Sequence, residues 1–311
     1  DNETLLEIKK QKIQLSDLRT DVNSKIRELA RIDDIVNCFK KELTNIDTYP
    51  TINVKENHLY QNNNAKGLII CSDIHYDGDE VIVNRMENLV NKVIDKCKLH
   101  EINQLTVIFN GDLINNELKT TIRLENRENV ANQIVGVGKL LSDVIYNLSK
   151  HIPYVVYSVV TGNHCRTISN YKEALSTDTY LPIIDEIIKL RVSNLDNVVK
   201  LPNYDADERF CIFNLNGKTF VATHGDAIKK IETNGIQSVE GYLNKSLDYL
   251  LLGHFHNPKE IMSYGKQIIM NGSVADNSDY AKKLLLKTPP IQKLLIIDSE
   301  GDIECTYNIK L

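Results

Sequence analysis

The sequence predicts an α/β protein with two mixed sheets, helices outside them, and one long helix in front. Three observations carry this reading. From Gly67 onward, short β-branched apolar runs alternate with amphipathic stretches, the pattern of strands interleaved with helices. Further on, Asn214-Leu215-Asn216-Gly217 and Ser299-Glu300-Gly301-Asp302 read as turns, so the second half adds hairpin-like strands. Before Gly67, Ile8, Leu15, Val22, Leu29, Val36 and Leu43 recur every seven residues, with no Pro or Gly until Pro50.

Taken in order, residues 1–47 form the long helix. Its companion positions are mixed, since Leu18, Ile32 and Phe39 are apolar but Thr4, Gln11 and Lys25 are not. Such a seam suits a coiled coil between two copies, docking on its own domain, or pairing with another protein's helix. Residues 48–65 are polar and turn-rich, with Thr48-Tyr49-Pro50 and Asn62-Asn63-Asn64, and read as a linker to a domain spanning 66–311. There the apolar runs predict strands over 67–72, 104–110, 153–161, 210–215, 218–223, 248–253, 266–270 and 293–297. Amphipathic stretches predict helices over 79–99, 126–150, 179–192 and 236–246.

Composition narrows the class. A chain of 311 residues, 42% hydrophobic and 25% charged, has the make-up of an ordinary globular protein. No apolar run approaches the roughly 18 residues of a membrane span, and Asp1-Asn2-Glu3-Thr4 shows no signal pattern, so no membrane partner is expected. The net charge of −5 with dispersed Lys and Arg argues against a DNA-coating protein. It does not argue against a nuclease, whose metals supply their own positive field. Six scattered cysteines with no C-x-x-C pair point to reduced thiols and a cytoplasmic setting, with Cys71 and Cys211 as packing residues.

Five motifs carry the chemistry: Asp73-Ile74-His75, Gly111-Asp112, Gly162-Asn163-His164, Thr223-His224-Gly225 and Gly253-His254-Phe255-His256. Each follows a predicted strand, and ligands collect at the carboxyl ends of strands in open α/β sheets. Asp73, His75, Asp112, Asn163, His224, His254 and His256 make seven oxygen and nitrogen donors, a set suited to two divalent ions, Mn²⁺ first and Fe or Zn²⁺ next. A carboxylate shared between two ions about 3.5–4 Å apart is the arrangement of phosphoester cleavage, with water activated on the metals. His164, beside Asn163, is the candidate acid for the leaving oxygen. Alone, a loop Asp is a turn residue and a loop His a hydrogen-bonded one; in order and after strands, the set reads as a site. His58, His100 and His151 fall outside it and read as surface residues, and Gly225-Asp226 as a helix cap.

These motifs resemble those of the calcineurin-like metallophosphoesterase superfamily over roughly residues 67–275. The resemblance implies a four-layer double β-sandwich flanked by helices. It implies that Asp73, His75, Asp112 and His256 hold one metal, that Asp112 bridges, and that Asn163, His224 and His254 complete the second. It also implies that a metal-bound hydroxide is the nucleophile and that His164 contacts the scissile phosphate. Protein phosphatases of the superfamily carry Gly-Asp-x-Val-Asp-Arg-Gly, whereas this chain has Gly111-Asp112-Leu113-Ile114-Asn115-Asn116, closer to its DNA-repair exonucleases. Asn271-Gly272-Ser273-Val274, Asp279-Tyr280-Ala281 and Pro289-Pro290-Ile291-Gln292 look like phage-encoded members, which would place the protein in a host cytoplasm. Cys165 departs from the family, which has an acid after Gly-Asn-His.

The expected function is therefore a metal-dependent phosphodiesterase, a nuclease with DNA as its partner, with Arg123, Arg127 and Arg166 as candidate phosphate contacts. Hydrolysis of a small nucleotide and a non-catalytic scaffold on the same fold are the alternatives, and a homodimer through the N-terminal helix is the expected assembly.

Overall fold

The computed structural model describes residues 2–43, 64–275 and 288–311. The chain divides into two compact units, residues 1–48 and 49–311. The first contains the helix α1 (Asn2–Leu43), on which Ile13, Leu15, Leu18, Val22 and Ile26 are exposed. The linker stretch up to Asn63, His58 and the segment 276–287 with Asp279-Tyr280-Ala281 lie outside the described residues.

The second unit is built on two sheets. The six-stranded sheet has the order β11-β10-β1-β2-β3-β4, from β1 (Lys66–Cys71), β2 (Gln104–Asn110), β3 (Tyr154–Val160), β4 (Val198–Lys200), β10 (Ile291–Ile297) and β11 (Ile303–Lys310). β1 to β4 are parallel, and β10 and β11 close the edge antiparallel. The five-stranded sheet has the order β5-β6-β7-β9-β8, from β5 (Phe210–Leu215), β6 (Lys218–Thr223), β7 (Tyr249–Leu252), β8 (Lys259–Ser263) and β9 (Lys266–Met270). Its centre, β6-β7-β9, is parallel.

Alternation along the strands makes the layers. Leu68, Ile70, Ile108 and Val160 of the first sheet pack with Phe213, Phe220, Leu251 and Ile269 of the second, an apolar core between them. The opposite residues of the second sheet, Val221, Leu250, Leu252 and Ile268, pack against Ile236, Val239 and Leu243 of α6 (Ile231–Leu243). Helices α2 (Glu80–Leu99), α4 (Val130–Ser149) and α5 (Leu181–Val192) accompany the first sheet, α4 and α5 both packing on β3. The result is the predicted double sandwich of helix, sheet, sheet and helix.

Differences from the expected elements have local causes. The helix expected over 126–150 starts four residues later: Asn129 caps α4 by accepting from the Asn132 amide, Asn126 turns inward to donate to the Asn116 carbonyl, and a short α3 (Thr120–Glu125) precedes it. β8 was not foreseen because its sequence, Lys-Glu-Ile-Met-Ser, is that of a polar edge strand with no buried face. β4 is three residues long, too short for a periodic signal. The two turns do close hairpins, with Asn216 and Gly217 at φ +47° and +91° joining β5 to β6, and Gly301 at +87° between β10 and β11.

Candidate metal centre

Each motif begins within two residues of a strand end. Asp73 follows β1, Asp112 follows β2, Asn163 and His164 follow β3, His224 follows β6, and His254 and His256 follow β7. The two sheets are tied together there: Asn110 Nδ2 donates to the carbonyls of Thr223 and Leu251 at 3.0 and 3.3 Å. Asn271 Nδ2 likewise reaches back to the Ile70 carbonyl at 3.0 Å, and to Gln292 Oε1 at 2.8 Å. Strand ends from both sheets thus deliver their side chains to one place.

The backbone there is held in uncommon conformations. Asp73, His75, Asp112, His254 and His256 have φ of 55°, 47°, 48°, 65° and 53°. Left-handed non-glycine residues each cost on the order of 1–3 kcal/mol and persist where the surroundings over-determine them. Here the Asp73 and His75 amides donate to the carbonyls of Gly111 and Asp112, stitching the first two loops together. The His254 amide donates to the Asp73 carboxylate at 3.0–3.1 Å, and the His164 amide to Asp112 Oδ1 at 2.7 Å. The closeness explains two of the glycines. A Cβ on Gly111 would sit 2.3 Å from His224 Nδ1, and one on Gly162 would sit 2.3 Å from both the Asp112 amide nitrogen and Oδ1.

Donor atoms converge. His256 Nε2 lies 3.1 Å from Asp73 Oδ1, His224 Nε2 lies 3.1 Å from Asp112 Oδ2, and His75 Nε2 lies 3.3 Å from His256 Nε2. Three groups each bring one donor atom per residue within 4.8 Å of the others: Asp73, His75 and His256; His75, Asp112 and His164; Asp112, His224 and His254. His75, Asp112 and His224 take part in more than one contact, so the groups form one continuous cluster.

Tautomers are set from outside the cluster. His224 Nδ1–H donates to the Asn110 carbonyl at 3.0 Å, and His164 Nδ1–H donates to the Asn115 carbonyl at 2.9 Å. Each bond turns Nε2 inward, the outer-shell arrangement that orients ligating imidazoles. Burial presses the His75 pKa down to about 3, with His164 adding to it, so His75 is neutral. Burial and the nearby His224 lower that of His254 as well. Burial also opposes charge on His224, but Asp112 and Asp73 overcome it and raise its pKa to about 10. Burial would lift the Asp112 carboxyl, yet His224 and His164 hold it well below the usual carboxylate range.

One buried acceptor at the cluster, Asn163 Oδ1, lacks a hydrogen-bond partner. Leaving buried polar atoms unpaired is costly, and the price is recovered when a cation takes the place of the missing donor. Carboxylate, imidazole and amide donors of this kind suit divalent ions. The residues present fit, and these clusters could bind divalent metals.

The sequence over residues 67–287 matches the family model of calcineurin-like phosphoesterases. The chain belongs to that family. It is a metallophosphoesterase, a hydrolase acting on phosphoester bonds. Solved structures similar to it include a predicted phosphoesterase from Streptococcus pneumoniae, at 13% identity over 79% of this chain and 98% of that one, with a TM-score of 0.35. An archaeal phosphodiesterase is similar at 14% identity over 79% and 99%, TM-score 0.38. Vacuolar protein sorting 29 from Cryptosporidium parvum is similar at 11% over 79% and 99%, TM-score 0.39. Likeness this distant says nothing of substrate. No curated protein matches the sequence.

For this phosphoesterase, the remaining candidates separate. Arg166 lies next to the cluster, but its guanidinium is bound to the carbonyls of Asn163, Ile168 and Ser169. Arg127 is paired with Asp79 at 2.7 Å and Asp77 at 3.6 Å, and Arg123 lies exposed on α3. Two readings need correction. His151 is buried where α4 turns into β3, and His100 is half-buried with Nε2 2.7 Å from the Tyr307 hydroxyl, so neither is a simple surface residue. Asp226 caps no helix, because α6 starts at Ile231, and its carboxylate accepts from the Tyr171 hydroxyl at 3.2 Å. Sequence reasoning missed Asn110, Gln292 and the positioning part of Asn116, whose Nδ2 donates to the carbonyls of His164 and Arg166. Buried polar residues at strand ends were the available signal. Among the described residues no helix is long and apolar enough to cross a membrane.

Proposed function

We propose that the chain is a metal-dependent phosphodiesterase that cleaves DNA phosphodiester bonds, in the style of the repair exonucleases and phage-encoded members of its family. The observation supporting this is His164. Its Nδ1–H is tied to the Asn115 carbonyl while its ring stands 4.6 Å from that of His75, at the edge of the cluster. That leaves Nε2 to hand a proton to a leaving oxygen. Asp73, His75 and His256 would hold one ion and Asn163, His224 and His254 the other, with Asp112 between them. Two divalent ions, Mn²⁺ by preference, would activate water and neutralise phosphoryl charge. Neutral His75 and His254 present the ligating form of imidazole, and the bond from His224 Nδ1 fixes which nitrogen faces inward.

The test offers the Mn²⁺-loaded protein bis(p-nitrophenyl) phosphate, p-nitrophenyl phosphate, and single- and double-stranded DNA. Turnover of the diester and of DNA is expected; cleavage of the monoester alone would sink the reading. A small nucleotide diester is the second reading, favoured by the net charge of −5, which builds no broad cationic track for a long polyanion.

We also propose that α1 pairs in parallel with α1 of a second copy. With Leu15 and Val22 at the first position of the heptad, Lys12, Arg19 and Lys40 fall on one flank and Glu7 and Asp21 on the other. A parallel partner sets opposite flanks together, Glu7 of one copy against Lys12 of the other. An antiparallel partner would oppose the cationic flanks to each other. Ile26 and Asp33 interrupt the cationic row, so the preference rests on its ends.

A further inference from the structure

A cavity of about 520 Å³ opens beside the cluster, and Gly162, Asn163 and Thr223 line it at the ends of β3 and β6. Its size is that of a small-molecule site. Two tyrosines also line it, Tyr171 at 53% and Tyr242 at 60% exposure, so much of each ring is uncovered. Both are anchored by their hydroxyls. Tyr171 donates to Asp226 Oδ2 at 3.2 Å, and Tyr242 donates to Asp207 Oδ2 at 2.6 Å. Arg166 lies over the Tyr171 ring at 5.6 Å, and Phe210 stands 5.6 Å from Tyr242. Aromatic rings fixed at one end and open on their surface are stacking platforms for planar ligands.

Charge narrows the occupant. Arg209 is forked onto Asp207 and Arg166 is spent on backbone carbonyls, which leaves the exposed Lys229 as the lining cation able to turn to an anion at the rim. Asp178 and Asp226 line the same space and offset the charge of Lys229, so the cavity is no dedicated site for a second phosphate. Carboxylates beside aromatic rings instead suit a neutral ring that carries N–H donors and a sugar that carries hydroxyls.

We infer that this cavity is a nucleoside subsite: it receives one unpaired base with its sugar, attached to the phosphate held at the cluster. The inference rests on the phosphodiesterase reading and adds the substrate's form. A base must be out of its duplex to enter, as in other sites that read single bases. A strand end, a single strand and a free nucleotide share this chemistry.

The test compares ligands that do and do not reach the cavity. In calorimetry on the Mn²⁺-loaded protein, thymidine 5′-monophosphate should bind at least about tenfold tighter than inorganic phosphate. Tyr171→Ala combined with Tyr242→Ala should lower that ratio about five- to hundredfold, the range for losing base stacking. The double Tyr→Phe variant, which keeps both rings, should hold the ratio near wild type and shows that folding is not the cause. An unchanged ratio in the double alanine variant overturns the subsite. Kinetics give a second reading: the preference, as kcat/KM, for the p-nitrophenyl ester of thymidine 5′-phosphate over bis(p-nitrophenyl) phosphate should fall by the same factor. If neither ester is turned over, the phosphodiesterase reading fails, while the binding ratio still decides the subsite. Cleavage of oligo(dT) in preference to a blunt duplex supports the subsite with a strand as its source, and cleavage of the mononucleotide ester alone supports it with a free nucleotide. Equal cleavage of duplex and single strand, indifferent to the double alanine variant, overturns it.

Discussion

The two units of the chain break the inside-out rule in opposite directions. In the sheet unit Asp73, Asp112 and His224 are 0%, 2% and 1% exposed, polar groups where water cannot reach. In α1, Leu15 and Leu18 are 71% and 63% exposed, apolar groups where water can. Both are the informative kind of exception, since an ordinary fold buries one class and solvates the other. A buried cluster of carboxylates and imidazoles with an unpaired amide oxygen states what chemistry completes it, because donors have direction and charge. An exposed apolar stripe states only that something covers it. Hence the sheet unit specifies a metal-binding hydrolase, while α1 needs its flanking charges before it specifies a partner.

The largest expected effect attacks the buried exception. Asp112→Ala removes the carboxylate that faces both His75 and His224, and kcat/KM on bis(p-nitrophenyl) phosphate should fall about 10³-fold or more, beyond the loss of a single transition-state donor. Elemental analysis should show fewer than two bound ions. Full activity in this variant would mean the cluster is structural. His164→Ala comes next, with a loss in kcat of about 10²–10³-fold on DNA. The loss should shrink with p-nitrophenol as the leaving group, which needs little protonation. Retained metal stoichiometry would separate this role from ligation, which the geometry of His75, Asp112 and His164 also admits. An equal loss on both substrates would remove His164 from the role of acid.

Much of the site could be read from the sequence because each motif couples a strand end to a donor. Gly111-Asp112 and Gly162-Asn163 look like motifs because a side chain on either glycine would collide with His224 or Asp112. What could not be read lies in the main chain and in distant partners. Cys165 stands where the resemblance implies an acid, a group that could orient His164. The structure answers with the Asn115 carbonyl, a group every residue carries and no sequence can advertise. Cys165 itself is buried, and burial beside Asp112 lifts its thiol to about 11, so it stays neutral. Asn110 was invisible for a related reason: its amide bonds to carbonyls of strands far along the chain, and only the packing of the two sheets brings these together. For the fold, strands with two buried faces were legible, while β4 and the polar edges β8 and β11 had too little apolar sequence to register.

A smaller effect tests the charge balance of the buried cluster. In the metal-free protein Asp112 and Asp73 keep His224 protonated, with its pKa near 10, so at pH 8 a cation must displace that proton. Metal uptake should release about one proton or more. Apparent affinity should therefore rise about tenfold for each unit of pH between 7 and 9, and weaken as pH falls. Calorimetry in buffers of differing ionisation enthalpy reads the proton count directly. An affinity flat across that range would show that His224 is already neutral before the ion arrives.

The smallest expected effect, a factor of two in mass, addresses the exposed exception. Val22 sits at the first heptad position and is exposed, so Val22→Asp should place two carboxylates face to face in a parallel pair. Light scattering at micromolar concentration should give the mass of a dimer for the intact chain and of a monomer for the variant. An intact chain of monomeric mass would end the self-pairing proposal and leave the stripe to a different partner. Orientation can be sharpened separately by charge. Lys12→Glu sets Glu7 against an acid in a parallel pair, so the dimer should weaken, and Glu7→Lys in the same chain should restore it. In an antiparallel pair the first change would instead relieve repulsion along the cationic flank, and the dimer would tighten. The sign of that one substitution therefore decides the orientation, because the seam residues are the same in both arrangements and only the flanking charges tell them apart.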